Sequence, residues 1–222
     1  MRMIEIASLE FFKTGRWRVE IFTDDNSAGI GSRWPLVKIR DIAAESSTAV
    51  NPQDYEEEEF FYVGLENVES VTGDSVHLQK KKREEVKSRS KVFVKDCVLY
   101  GRLRPYLRKV FVADEACERG LCSTEFIVLK PAKDRVLPEV LRAILASEAI
   151  GKQLARLQIG AALPRVSADD FMKAAMPLPP MSIQKTMAGK LADLRKERLR
   201  LKSLLLENPA EIDRVVSDLV TA

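Results

Sequence analysis

The stretch from Cys97 to Pro131, CVLYGRLRPYLRKVFVADEACERGLCSTEFIVLKP, restricts the fold more than any other part of this chain. Val92 to Tyr100, Leu107 to Ala113 and Glu125 to Lys130 are rich in Val, Ile, Leu and Phe and predict three strands. Gly101, Pro105 and Gly120 break the runs between them. The first break, Gly101 to Lys109, sets four cations and a tyrosine within nine residues. Pro105 fixes its own φ and pushes Arg104 towards an extended conformation, so the loop presents guanidinium groups outward at a defined angle.

Around this stretch, 222 residues predict one domain of ordinary size with an appendage. Hydrophobic residues at 45% and charged residues at 31% describe a soluble chain able to bury a core. No apolar run reaches the roughly 18 residues of a membrane span. No basic-then-apolar leader precedes a small-residue cleavage site, which argues against export. Cys97, Cys117 and Cys122 form no C-x-x-C pair, and His77 is the one histidine, so a metal site lacks ligands. Reduced thiols fit a cytoplasmic protein, with Cys97 packed in the core.

Charge is unevenly spread. From Lys80 to Lys109 twelve Lys or Arg face Glu84, Glu85 and Asp96, a net +9 in a chain of net +3. A local positive field on a mildly acidic body suits a polyanionic partner; a solvated charged loop is the bland alternative.

Taken in order, residues 1–33 read as an N-terminal extension, with strands at Ile4–Leu9 and Arg18–Thr23 and then a Gly/Ser/Asp-rich linker. Trp34 to Ile42 alternates like a half-buried strand, and Glu59 to Val68 reads as a core strand entering a polar turn. The acidic run Asp54–Glu59 reads as a solvated turn. Lys80 to Lys91, basic and without apolar period, reads as a mobile loop or short exposed helix that contacts phosphates. From Leu137 the period becomes helical, with Pro138 at a first helical position, Leu141, Ile144, Leu145, Leu154 and Leu157 on one face, and Gly160 as terminator. Ser167 with Asp170 caps a short helix through Ala174, and Pro177, Pro179 and Pro180 form a stiff hinge.

Beyond the hinge, Met187, Leu191, Leu194, Leu201 and Leu205 follow steps of four and three, with Arg198 as the one polar position of the series. A helix so rich in leucine needs a partner surface, either its own domain or another chain. Asn208-Pro209 then predicts a cap and a final helix with Ile212, Val215, Val216 and Leu219 on one face.

Catalytic motifs are missing. There is no P-loop, and Leu178-Pro179-Pro180-Met181 lacks the amide and the aromatic residue of an adenine methyltransferase motif. His77 sits in a polar turn and reads as a solvated loop residue rather than a catalytic base. The chain reads as non-enzymatic.

GRLRPYL, CSTEFIVL, Gly160-Ala161-Ala162-Leu163-Pro164-Arg165 and Pro177-Leu178-Pro179-Pro180 with Gln184 resemble, in order and spacing, the specificity subunit of type I restriction-modification enzymes. The likeness runs from about Trp34 to Glu207, includes the YVGLENV segment, and is narrowest to one target-recognition domain with its helix. It implies an α+β fold: a target-recognition domain over 34–180 with a mixed, mostly antiparallel sheet, a long projecting coiled-coil-like helix over 181–207, and a short helix over 208–222. It implies recognition of double-stranded DNA. By their charge, Lys80, Lys81, Lys82, Arg83, Arg102, Arg104, Arg108, Lys109 and Arg165, with Tyr106 among them, are the groups expected near the duplex; internal salt bridges are the alternative for Arg102 and Arg104, and packing beside Pro105 for Tyr106.

No cofactor is expected on this chain. S-adenosylmethionine, ATP and Mg²⁺ belong to the partners the resemblance implies, a methyltransferase subunit and a restriction/translocase subunit. A whole specificity subunit carries two recognition domains and two helices. A chain with one of each is expected to pair with a copy of itself through Met187, Leu191, Leu194, Arg198, Leu201 and Leu205. The competing readings are a recognition domain detached from a fused methyltransferase or nuclease, a nuclease in its own right, and a helical adaptor for assembly.

Overall fold

The computed structural model describes residues 32–221, with side chains through Leu205 and again at Pro209 and Arg214. The strands expected at Ile4–Leu9 and Arg18–Thr23, and the apolar face expected after Pro209, lie outside what is described. The chain divides into two compact units, the second starting at Ser182.

Eleven strands build the described part of the first unit: β1 (Leu36–Lys38), β2 (Ala43–Ser46), β3 (Ala49–Val50), β4 (Glu59–Val63), β5 (Lys80–Lys82), β6 (Ser90–Val94), β7 (Val98–Gly101), β8 (Val110–Val112), β9 (Arg119–Ser123), β10 (Phe126–Pro131) and β11 (Ala175–Pro177). They form a five-stranded sheet in the order β3-β6-β9-β4-β5, a four-stranded sheet β2-β10-β7-β8, and the pair β1-β11. Every pairing is antiparallel except β4 with β9.

The run Val92–Tyr100, expected as one strand, is two. Asp96, at φ 68°, turns the chain so that β6 belongs to the larger sheet and β7 to the smaller. The turn is held by the Asp96 amide on the Ala113 carbonyl and the Cys97 amide on the Val94 carbonyl. The chain crosses between sheets again at Thr124–Glu125, between β9 and β10. The two sheets therefore close over a common core, to which Val63, Phe93 and Cys122 contribute from one and Leu99, Phe111, Phe126 and Val128 from the other. Period-two alternation then turns Val98, Tyr100 and Ile127 to the opposite face.

Helices cover that face: α1 (Pro138–Leu145), α2 (Glu148–Arg156) and α3 (Ala168–Lys173). The single helix expected from Leu137 is broken at Ser147, whose side chain accepts from the Ile150 amide as an N-cap and so starts α2. The Tyr100 ring packs 4.5 Å from that of Phe171 on α3. Ser167 caps α3 as its spacing predicts, accepting from the Asp170 amide at 3.0 Å.

Gly120 is not a break. It lies inside β9, where a Cβ would sit 2.3 Å from the Phe61 carbonyl oxygen and 3.1 Å from the Phe93 ring, so only glycine lets the strands approach. All three cysteines are buried and unpaired. Burial raises each thiol pKa, that of Cys117 to about 12.

The second unit is one continuous helix, α4 (Met181–Thr221), 41 residues long and containing Pro209. The expected break at Asn208-Pro209 does not occur. Pro209 removes one amide donor from the ladder without ending the helix. Leu194 and Leu205 are 67% and 70% exposed, and Leu199, Leu201 and Leu204 are exposed as well. Met187, Leu191 and Arg198 are half-buried. No described helix is long and apolar enough to cross a membrane.

Candidate nucleic-acid interface

Three stretches far apart in sequence meet where β9 ends, and Glu125 is the joint. Its carbonyl accepts from the Arg102 amide at 2.9 Å, and its own amide donates to Ser123 Oγ at 3.2 Å. Its carboxylate receives Arg165 through Nε at 3.0 Å to both oxygens and Nη2 at 2.7 Å to Oε1. The remaining guanidinium nitrogen, Nη1, donates to the Leu163 carbonyl at 3.2 Å. Backbone bridges pair Leu103 with Arg165 and Arg165 with Ile159, and the Arg104 amide donates to the Pro164 carbonyl at 2.7 Å. The segments GRLRPYL, CSTEF and GAALPR are thus one bonded cluster. A forked carboxylate is the strongest common partner an arginine finds, so Arg165 orders these loops.

The other cations of the Gly101–Lys109 loop divide in two. Arg108 lays its methylenes against α2, so close that a Cβ at Gly151 would meet Arg108 Cδ at 2.5 Å, and Nη1 donates to the Ala146 carbonyl at 3.3 Å. Lys109 Nζ donates to the Leu65 carbonyl at 2.7 Å. Arg102 is half-buried, and its Nε has no acceptor among the described residues. Arg104 is exposed, but it is not extended: at φ 51° and ψ 63° it is left-handed, as is Arg108 at φ 50°. The bond to Pro164 and the turn bond from the Leu107 amide to the Arg104 carbonyl impose this geometry against the usual preference before proline. Between these two residues a single 3₁₀ turn, Pro105–Leu107, buries Pro105 and leaves Tyr106 outward.

The lysine run is ordered. Lys80–Lys82 is β5, at the edge of the five-stranded sheet, with Lys82, Lys81 and Lys80 opposite Glu59, Phe60 and Phe61. Over Lys80–Lys82 the expectation of a loop or helix fails, because the backbone bonds of β4 need a partner whatever the side chains are, while Arg83–Glu85 forms a short 3₁₀ helix within the stretch. Lysine is also a residue that keeps an exposed edge from pairing with other chains. The Lys80 and Lys81 ammonium groups stand 5.7 and 5.0 Å from the centres of the Phe61 and Tyr62 rings. Arg83 turns inward and donates through Nη1 to the Gln53 carbonyl at 3.4 Å. Lys82, Lys87 and Arg89 are exposed.

Tyr62 connects the lysine edge to the joint. Burial raises its hydroxyl pKa, and hydrogen bonds from Ser88 and Ser123 partly offset the rise. A chain of neighbours therefore runs from Lys81 through Tyr62 and Ser123 to Glu125 and Arg165. Sequence spacing gives no sign of the Tyr62 cluster.

Elsewhere several charges pair at the surface. The acidic run pairs through Glu57 with Arg119 Nε at 3.0 Å, and Lys95 pairs with Glu115 at 3.0 Å. His77 is exposed in a left-handed turn at φ 47°. Among the described residues no group of three His, Cys, Asp or Glu side chains could hold a metal ion.

Comparison with known proteins bears on the fold and the family. The chain is 21% identical over 184 residues to the type I restriction enzyme EcoDI specificity subunit of Escherichia coli, covering 83% of this chain and 40% of that protein. It superposes with a TM-score of 0.65 and 24% identity on the HsdS subunit of Thermoanaerobacter tengcongensis, covering 78% of this chain and 45% of that one. A chain from a structure describing complex assembly and conformational transition of the type I R-M system gives the same score and identity over 77% and 44%. The chain thus spans less than half the length of the relatives it matches, and shares with the solved ones an α+β fold of mixed sheets followed by a long helix. Residues 32–208 match the type I restriction modification DNA specificity domain, and the chain belongs to that family.

Proposed function

We propose that this chain recognises a specific double-stranded DNA sequence for a type I restriction-modification complex, and that it directs a partner adenine methyltransferase and a partner nuclease to a bipartite site. S-adenosylmethionine, ATP and Mg²⁺ would be bound by those partners. The observation that carries the reading is the edge strand Lys80–Lys82, which turns Lys80 and Lys82 to one face and Lys81 to the other, followed along the chain by exposed Lys87 and Arg89. Ordered lysines along a sheet edge can follow a phosphate backbone, and phosphate contacts set register while base contacts set sequence. Arg102 and Arg104 are the guanidinium groups of the neighbouring loop that remain for base or phosphate contact, since Arg108, Lys109 and Arg165 hold protein groups. Binding of the chain to a duplex containing its site, titrated against salt, tests the reading; equal affinity for every sequence at every salt concentration contradicts it.

The exposed leucines of α4 support self-association. An antiparallel pair of such helices would supply two recognition domains and two helices, related by a two-fold axis. From Ser182 to Leu205, about 24 residues at about 1.5 Å give a spacer of roughly 36 Å, near one turn of B-DNA. The expected target is a split palindrome with half-sites about one turn apart.

A further inference from the structure

Val63, Phe93 and Cys122 turn one face of the five-stranded sheet to the core shared with the other sheet, so period-two alternation turns Tyr62, Val92 and Leu121 to the opposite face. A second, smaller apolar cluster forms there around buried Phe60 and Leu121. The basic segment that follows β5 is fastened to this cluster. Val86 is buried in it, and the Val86 carbonyl accepts from Gln53 Nε2 at 3.2 Å. Two residues on, the Ser88 carbonyl accepts from the hydroxyl of buried Ser90 at 3.0 Å. The Ser88 side chain is hydrogen-bonded to the Tyr62 hydroxyl, which also meets Ser123, the residue of β9 that follows Leu121 on the same face. Lys87 and Arg89 flank Ser88, exposed and without an acceptor among the described residues.

The Tyr62 ring packs against the cluster, and a phenylalanine there would keep that packing. The hydroxyl is what ties Ser88 to the sheet. Without the tie, the backbone carrying Lys87 and Arg89 must be ordered when the two cations meet a phosphate, which lowers affinity without removing charge. We infer that Tyr62 is a positioning residue for duplex binding: through Ser88 it holds Lys87 and Arg89 in place as a phosphate contact, and through Ser123 it fixes that contact to the joint at Glu125. This rests on the reading of the chain as a DNA-binding subunit.

The test uses the full chain and a random-sequence duplex, so it requires neither a partner subunit nor the recognised site. Tyr62→Phe and Ser88→Ala remove the same bond from its two ends. Each is measured alone and together with Lys87→Ala and Arg89→Ala, with melting temperature confirming the fold. Either change alone should speed amide exchange at Lys87 and Arg89 and weaken duplex binding by about two- to tenfold. The log–log salt slope should stay as in the wild type, because both cations remain. Removing the two cations should shrink that slope by about 0.9 for each phosphate released, and adding Tyr62→Phe should then cost no further affinity. A Tyr62→Phe chain of wild-type affinity, or one whose loss persists undiminished once the cations are gone, overturns the inference and leaves the DNA reading intact. A wild-type chain that binds no random-sequence duplex at low salt overturns both.

Discussion

A methyl group added at Gly120 would have to share space with the Phe61 carbonyl oxygen 2.3 Å away, and no rotation of a side chain relieves a clash with backbone. Gly120→Ala should therefore lower stability by about 1–3 kcal/mol, read as a fall in melting temperature. The Glu125–Arg165 fork sets a subtler expectation. Arg165→Lys keeps the charge but cannot make two parallel bonds, so it should loosen the loops and change the preference among DNA sequences; an unaltered sequence preference in the folded variant would remove Arg165 as an organiser.

The buried thiols supply a pH dependence. Their folded pKa values lie above those of free cysteine, so the stability present at neutral pH is lost as pH rises beyond about 8.5 and the unfolded chain ionises first. Replacing Cys117 by Ala should flatten that alkaline decline in a series of thermal melts. At this scale the sequence speaks unevenly. The buried Cys97 and the Ser167 cap were legible because each depends on near neighbours in the chain. The fates of Arg108, Lys109 and Arg165 were not, because their acceptors at Ala146, Leu65 and Glu125 lie 38 to 44 residues away.

Among elements, the apolar strands were legible and the sheets they join were not. Nothing in Val92–Tyr100 announces that Asp96 takes a left-handed turn and moves the chain from one sheet to the other. The lysine run has no apolar alternation, yet it becomes β5 because β4 offers it a ladder. On this edge the expected effect is electrostatic. Changing Lys80, Lys82 and Arg89 to Glu should weaken binding to all duplexes, and the log–log salt slope should shrink by about 0.9 for each phosphate that is no longer neutralised. Retained affinity with an unchanged slope would exclude the edge as a DNA surface.

For α4, the heptad pattern was legible as a helix with an uncovered leucine face, while the expected stop at Pro209 was overridden by the helix around it. Leu194→Asp with Leu201→Asp should convert a dimer into a monomer by light scattering, since two carboxylates would replace apolar groups in the seam. A wild-type chain that is monomeric at micromolar concentration would contradict pairing through this helix.

At the level of the whole molecule, the proposed function separates sequence recognition from chemistry. The chain alone should neither methylate nor cut DNA, and label from S-adenosylmethionine appearing in duplex treated with the pure protein would contradict that. The central claim, that this chain chooses the DNA sequence on which partner enzymes act, is tested most directly by mapping methylated adenines in a genome carrying it together with its methyltransferase subunit. The predicted result is a single split motif with two-fold symmetric halves about one helical turn apart, absent when the chain is deleted. A methylation pattern that is unchanged by the deletion would contradict the account.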